Sequence, residues 1–309
     1  MKEEKIATRQ SFGEELAKLG EENKNIVVLD ADLAGATKTE IFGKKFPDRF
    51  FDLGIAEQDM VSTAAGLAAS GKIPFASSFA MFLTGRAYDQ IRNSICYPGA
   101  NVKICATHAG ITVGEDGATH QMIEDINLMR GIPKMMVLCT SDDIQTRWII
   151  NAIAEYKGPC YLRLCRYASP VIYDKDTKFE LGKAIMHGKG TKATVFATGV
   201  VVSEALKAQE ELAKEGIDIR VVDVHTIKPI DREMIVKCAK ETDKLISIED
   251  HNIIGGLGSA IAEVLTEEYP TKLVRMGMND HFGRSGKAAQ LLEYYGLVSA
   301  NIIEEVKKD

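Results

Sequence analysis

Short apolar, β-branched runs alternate along the chain with longer amphipathic segments. Ile26–Asp30, Val102–Ala106, Met135–Cys139 and Tyr161–Leu164 are almost continuously apolar, as strands buried on both faces of a parallel sheet are. Between them helical spacing predicts helices over Ser11–Glu22, Gln58–Ala69, Arg86–Cys96 and Asp142–Glu155, the last with Ser141 as its N-cap. From Tyr167 to Lys192 the pattern gives way to a polar stretch with Pro170, an Asp-Lys-Asp cluster and several glycines, which reads as a linker. A second series then predicts strands at Ala193–Ala197, Ile219–Asp223, Lys244–Ile248 and Lys272–Met276, and helices over Val201–Lys214, Asp231–Lys240 and Leu257–Glu268. The alternation implies α/β architecture with parallel sheets, and no internal repeat is visible.

Length and charge narrow this picture. A chain of 309 residues exceeds one ordinary core, so two domains are expected, 1–168 and 191–309, with 169–190 as the linker. Lysine plus arginine number 38 against 44 aspartate plus glutamate, without a long basic run, which argues against nucleic-acid binding. The 45% hydrophobic and 27% charged content is globular and excludes disorder. Six cysteines stand at 96, 105, 139, 160, 165 and 238 with no CxxC pair, several inside apolar runs, and read as reduced, buried thiols. The charged start Met1-Lys-Glu-Glu-Lys has no apolar signal core. The apolar region Met60–Leu83 is interrupted at Ser70, Gly71, Lys72 and Pro74, so no membrane span is expected and the cytoplasm is the expected location.

Four segments carry candidate chemistry. Asp52-Leu-Gly-Ile-Ala-Glu57-Gln58 precedes a run of small residues, placing Glu57 near a helix start that favours an anion; capping or solvation is the plainer role. Phe79 and Phe82, three apart, occupy one helical face or turn, which core packing explains as readily as stacking on a cofactor ring. The loop Thr107-His108…Gly114-Glu-Asp116-Gly-Ala-Thr-His120-Gln121 follows a strand, where α/β sheets bind ligands. Its histidines, twelve apart, lack a third partner at zinc spacing, so no metal is assigned to them. Ile254-Gly-Gly-Leu-Gly258 imitates half of a dinucleotide fingerprint, but a tight turn with close helix packing accounts for it better. Val224-His225-Thr-Ile-Lys228-Pro reads as a strand end leading to a helix capped by Asp231, with His225 structural.

Taken in order, Gly-Ile-Ala-Glu57-Gln, Phe79 and Phe82, His108 with Gly-Glu-Asp116-Gly-Ala-Thr-His120-Gln, Arg166, and Asp223-Val-His-Thr-Ile-Lys-Pro resemble the C-terminal half of transketolase across nearly the whole chain. The resemblance implies two three-layer α/β domains, a pyrimidine-binding domain and a transketolase C-terminal domain. It also implies thiamine diphosphate as cofactor. In that likeness Glu57 bonds the N1′ nitrogen of the aminopyrimidine, Phe79 and Phe82 flank the ring, and Asp32 is an acid near the cofactor. His120 and Asp116 contact donor hydroxyls, with His120 a candidate for proton transfer, while Arg9, His108 and Arg166 bind the sugar phosphate.

The family's Gly-Asp-Gly motif with a downstream asparagine, which holds Mg²⁺ and the diphosphate, has no counterpart here; Glu115-Asp116-Gly117 lies inside the histidine loop. The chain therefore resembles one subunit of a split transketolase, needing a separate N-terminal subunit, with an α2β2 heterotetramer expected. Where the family commonly has a phosphate-site serine after Asp-Leu-Ala-Pro, this chain reads Asp32-Leu-Ala-Gly-Ala36-Thr37, so the hydroxyl is lost or moved to Thr37. The sugar is left open. Alternatives are a 1-deoxyxylulose-5-phosphate synthase-like subunit, against which His108 speaks, a dehydrogenase β-subunit, and a non-catalytic regulatory chain of the same fold.

Overall fold

A computed structural model describes residues 4–308, so Met1–Glu3 of the charged start and the final Asp309 lie outside the described residues. Among the described residues fourteen strands run in chain order: β1 Lys5–Ala7, β2 Ile26–Asp30, β3 Phe50–Asp52, β4 Ile73–Phe79, β5 Lys103–Thr107, β6 Met136–Cys139, β7 Cys160–Arg163, β8 Ala168–Pro170, β9 Ile185–His187, β10 Ala193–Ala197, β11 Ile219–Asp223, β12 Thr226–Lys228, β13 Leu245–Asn252 and β14 Leu273–Met278. They form a seven-stranded sheet in the order β12-β6-β7-β5-β4-β2-β3, a five-stranded sheet β14-β13-β10-β11-β9, and a β1-β8 ribbon. Both larger sheets are parallel except for one antiparallel edge strand, β12 and β9 respectively.

The apolar runs become central strands because a pleated strand sends successive side chains to opposite faces. Val27, Leu29, Ile104, Val137 and Tyr161 pack with Met60 and Ile91 on one face of the first sheet. Their neighbours Val28, Cys105, Leu138 and Leu162 pack with Phe12, Leu16 and Ile149 on the other. In the second sheet Val195 and Val221 join Ala205 and Ile302, whereas Phe196 and Val222 join Ile235 and Ile261. Each sheet is thus covered on both faces, giving two three-layer units.

Several expectations need correction. Ser141 does not cap the helix Asp143–Glu155; Asp142 does, accepting from the Gln145 N–H, while the Ser141 hydroxyl donates to Asp223 at 2.8 Å. The stretch expected to be a linker contains the short strands β8 and β9. Strand β4 passes unnoticed in the sequence because Pro74 and two serines break its apolar run, yet it lies at the heart of the first sheet. Pro74 is its second residue, near the strand entry where a missing N–H is best tolerated. The segment expected to be a strand end before a helix forms β12, which crosses from the second half of the chain to pair with β6. The Lys228 ammonium fixes that crossing by donating to the carbonyls of Arg130 and Ile132. Asp231 caps the helix Arg232–Glu241 as expected.

Candidate active site

Because β2, β3, β4, β5 and β7 are mutually parallel, their carboxyl ends lie on one edge of the sheet, the edge where such sheets bind ligands. Each of these five strand ends is followed by a candidate residue: Asp32 after β2, Glu57 after β3, Phe79 and Phe82 at the end of β4, His108 after β5 and Arg166 after β7. Arg9 joins them from the first turn of the helix Thr8–Glu22.

Glu57 is the first residue of the helix Glu57–Ala69 and is only 1% exposed. It makes no capping bond, and it is not solvated, which removes the plainer readings of this carboxylate. Its Oε2 accepts from the Arg86 guanidinium at 2.6 Å, leaving Oε1 for another donor. Arg86 lies in a π-helical segment, Met81–Arg86, that opens directly after β4, so the helix expected from Arg86 begins earlier. Wide π turns recur at functional sites, where they re-aim side chains. Here the segment directs Phe82 and Arg86 together, the guanidinium 5.0 Å from the ring centroid. Phe79 ends the strand rather than sharing a helical face with Phe82; the rings nevertheless stack, 5.9 Å apart.

The glycine-rich loop brings its histidines to the same place. His108 adopts a left-handed backbone, φ 57°, and stacks on Phe79 with centroids 3.7 Å apart. Its Nδ1 is bonded to the Thr107 hydroxyl and its Nε2 lies 3.3 Å from Arg9. Burial, then the charges of Arg9 and Arg166, push His108 down to about 3, so the imidazole is neutral at physiological pH. His120 meets the Phe82 ring edge-on at 5.3 Å, with Nδ1 bonded to Thr119. Asp116 pairs with Arg166 at 3.2 Å, both side chains about two-fifths exposed. Glu57, Phe79, Phe82, His108, His120, Arg9, Arg166 and Asp116 therefore form one cluster.

Asp32 stands apart from this set. It is exposed at φ 61°, and its backbone N–H donates to Asp52. Thr37 cannot supply the missing phosphate-site hydroxyl. It is fully buried and donates to Asp30 at 2.7 Å, and Asp30 also accepts from Thr39 and the Leu33 N–H. Asp30 thus ties down the loop whose Ala36 carbonyl receives Arg9. Sequence reasoning assigned no role to Arg86 or Asp30; only the position of Asp30 at the end of an apolar strand pointed to this edge.

The glycines at 255–258 have the structural role expected. The carboxylate of Glu249, fully buried, accepts from the N–H groups of Leu257 and Gly258, filling the helix N-terminus that a nucleotide phosphate would occupy. A side chain at Gly256 would meet that carboxylate at 2.0 Å. All six cysteines are free and buried. Among the described residues no group of three or more His, Cys, Asp or Glu is placed to hold a metal ion, and no helix is long and apolar enough to cross a membrane.

Comparison with known proteins matches residues 4–170 to the pyrimidine-binding domain of transketolase and residues 182–302 to the transketolase C-terminal domain. The chain belongs to the transketolase family. It is 53% identical over 308 residues to a Methanocaldococcus jannaschii protein described as a transketolase C-terminal section, covering 97% of this chain and 96% of that one. It is 41% identical over 295 residues to a 6-deoxy-6-sulfo-D-fructose transketolase subunit of Clostridium sp. (strain MSTE9), covering 96% and 92%. A solved split-gene transketolase, described as an inactive β4 tetramer, superposes with a TM-score of 0.89 at 50% identity over 98% of this chain and 97% of that one. Against the transketolase of Rattus norvegicus, 39% identical, the chain covers 49% of the length. Membership of the transketolase family implies the use of thiamine diphosphate.

Proposed function

We propose that the chain is the C-terminal component of a two-component transketolase that transfers a two-carbon ketol unit between sugar phosphates. The observation that carries this reading is the buried Glu57 carboxylate beside the stacked Phe79 and Phe82 rings. A desolvated acceptor next to two aromatic faces suits an aminopyrimidine. Bound there, thiamine diphosphate supplies the nucleophilic carbon that accepts the ketol unit. Glu57 would hold a proton at ring nitrogen N1′, Phe79 and Phe82 would fix the ring plane, and Asp32 would lie at the rim.

On the substrate side, His120 would move the proton of the donor hydroxyl as the carbon–carbon bond breaks, and Asp116 would hold the neighbouring hydroxyls. Arg9 and Arg166 would supply positive charge for the anionic end of the sugar, with neutral His108 as a further polar contact. The exposed Asp116–Arg166 pair opens at little cost, since such pairs contribute about 0–1 kcal/mol. Ala36 provides no hydroxyl to that end, and the Clostridium relative is named for a sulfonated sugar. The anion is therefore a phosphate or a sulfonate, and a substrate panel distinguishes them.

The diphosphate and Mg²⁺ are assigned to a separate N-terminal subunit, because this chain has no Gly-Asp-Gly with a downstream asparagine. An α2β2 assembly is proposed, and the chain alone is expected to be inactive. Domains at 1–168 and 191–309 with a linker at 169–190 remain the proposed division, with β9 of the second sheet falling inside that linker and β12 crossing to the first sheet, and six free thiols suit the cytoplasm. The test is reconstitution with a Gly-Asp-Gly subunit, Mg²⁺ and thiamine diphosphate. The mixture should transfer ketol units and Glu57→Ala should abolish transfer; full activity in that variant overturns the assignment.

A further inference from the structure

The loop that carries Asp116 and His120 is held at both ends by the second half of the chain. At its start, the buried carboxylate of Asp250, in β13, accepts from the Ile111 N–H at 2.8 Å and the Thr112 hydroxyl at 2.9 Å. At its end, Gln121 is only 3% exposed, and its Nε2 donates to the carbonyl of Arg284 at 2.9 Å, with the carbonyls of Ile111 and Gly114 at 3.2 and 3.4 Å. Arg284 lies in the segment 279–287 that leaves the carboxyl end of β14.

The fit between loop and segment leaves little slack. A Cβ on Gly117 would stand 2.5 Å from the Ser285 hydroxyl oxygen, and one on Gly114 would stand 3.4 Å from the Gly286 carbonyl. A Cβ on Gly283 would meet Gln121 Oε1 at 2.0 Å. The backbone N–H groups of His120 and Gln121 both donate to the Gly117 carbonyl, so a displacement of Gln121 is passed to its neighbour through one tight turn.

We propose that Gln121 is a positioning residue that registers His120 and Asp116 against the C-terminal domain through the Arg284 carbonyl, making that domain part of the catalytic geometry. This rests on the transketolase reading for its effect on rate, but the coupling between the two segments does not. Gln121→Leu removes the donor to the Arg284 carbonyl, while the Ile111 and Gly114 carbonyls keep the N–H groups of Gly114 and Gly117. Gln121→Glu keeps the shape but sets a carboxylate among three carbonyls, and regains a donor only when protonated.

The test uses the reconstituted pair and, separately, this chain alone. In the pair, Gln121→Leu should lower kcat about ten- to hundredfold and raise the ketose KM, with half-saturation by thiamine diphosphate unchanged, as a misplaced catalytic group does. Gln121→Glu should recover towards wild type as pH falls. Gly283→Ala, which presses on Gln121 from the other side, should act in the same direction if the Leu variant folds poorly. In the chain alone, hydrogen exchange should quicken at both 114–121 and 280–287 and nowhere else. Wild-type kcat and KM in the Leu and Ala variants, or quickened exchange in only one segment, overturns the proposal. An inactive wild-type pair sinks the functional reading instead, and exchange then decides the coupling by itself.

Discussion

The Arg86 guanidinium reaches the Glu57 carboxylate at 2.6 Å across twenty-nine residues of sequence, with one partner buried and the other 46% exposed. An isolated carboxylate sealed in this position would be costly, and the arginine gives this desolvated acceptor a partner while leaving one oxygen for a ligand.

This pair yields the first prediction. Glu57→Gln should leave the fold intact and reduce ketol transfer at least about a hundredfold in the reconstituted enzyme, the scale typical of losing a positioned acid–base group. Arg86→Leu should cost stability as well, about 1–3 kcal/mol for a charged hydrogen bond left unmade. Steady-state kinetics and urea unfolding separate the two effects.

Deeper in the molecule, Asp125 accepts from Arg163 at 2.7 Å and from the Tyr161 hydroxyl at 2.6 Å, while Arg163 also donates to the Asp250 carbonyl of the second domain. Both members of the ion pair are at most 5% exposed. Asp125→Asn should destabilise the chain by about 3–5 kcal/mol, because it strands a buried guanidinium. The urea midpoint, followed by fluorescence of the single Trp148, checks this; an unchanged midpoint counts against a structural role for the pair.

His225 gives a pH signature. It is fully buried, bonded through Nδ1 to Thr226, and burial lowers it to about 4. The unfolded chain therefore binds a proton near 6.5 that the folded chain refuses until about 4, so stability is lost as pH falls through that window. At pH 5 the loss from this residue is about 2 kcal/mol relative to pH 7.5. His225→Gln should show a correspondingly shallower decline in thermal midpoint between those pH values. An identical slope in both proteins would contradict the assignment.

Light scattering of the reconstituted mixture should give a mass equal to two copies of each chain. A stable complex of one copy of each speaks against the proposed assembly.

Much of the candidate site was legible because it is organised by strand ends. An apolar run marks a buried parallel strand, and the residues just after it must lie on the ligand-binding edge. His108 could be placed there on that ground, whereas Glu57 and the two phenylalanines, which follow strands not expected from the pattern, came from the likeness to transketolase. Arg86 was not legible as a partner of Glu57, because no local spacing links positions so far apart. Strand β4 was missed since Pro74 and the buried serines mimic a break, although neighbouring strands impose extended geometry on them.

What the sequence alone determined is local: the period of its apolar positions, the caps such as Asp231, the free cysteines, and the order of motifs that marks the family. Tertiary structure decided the rest. It sent Thr37 inward to Asp30, carried β12 across to β6, and brought Gln121 to the carbonyl of Arg284. The reason is physical. Hydrophobic periodicity repeats within a few residues and can be read along the chain. A polar atom's choice of partner depends on which groups burial has left without water, and that is known only once distant segments have packed.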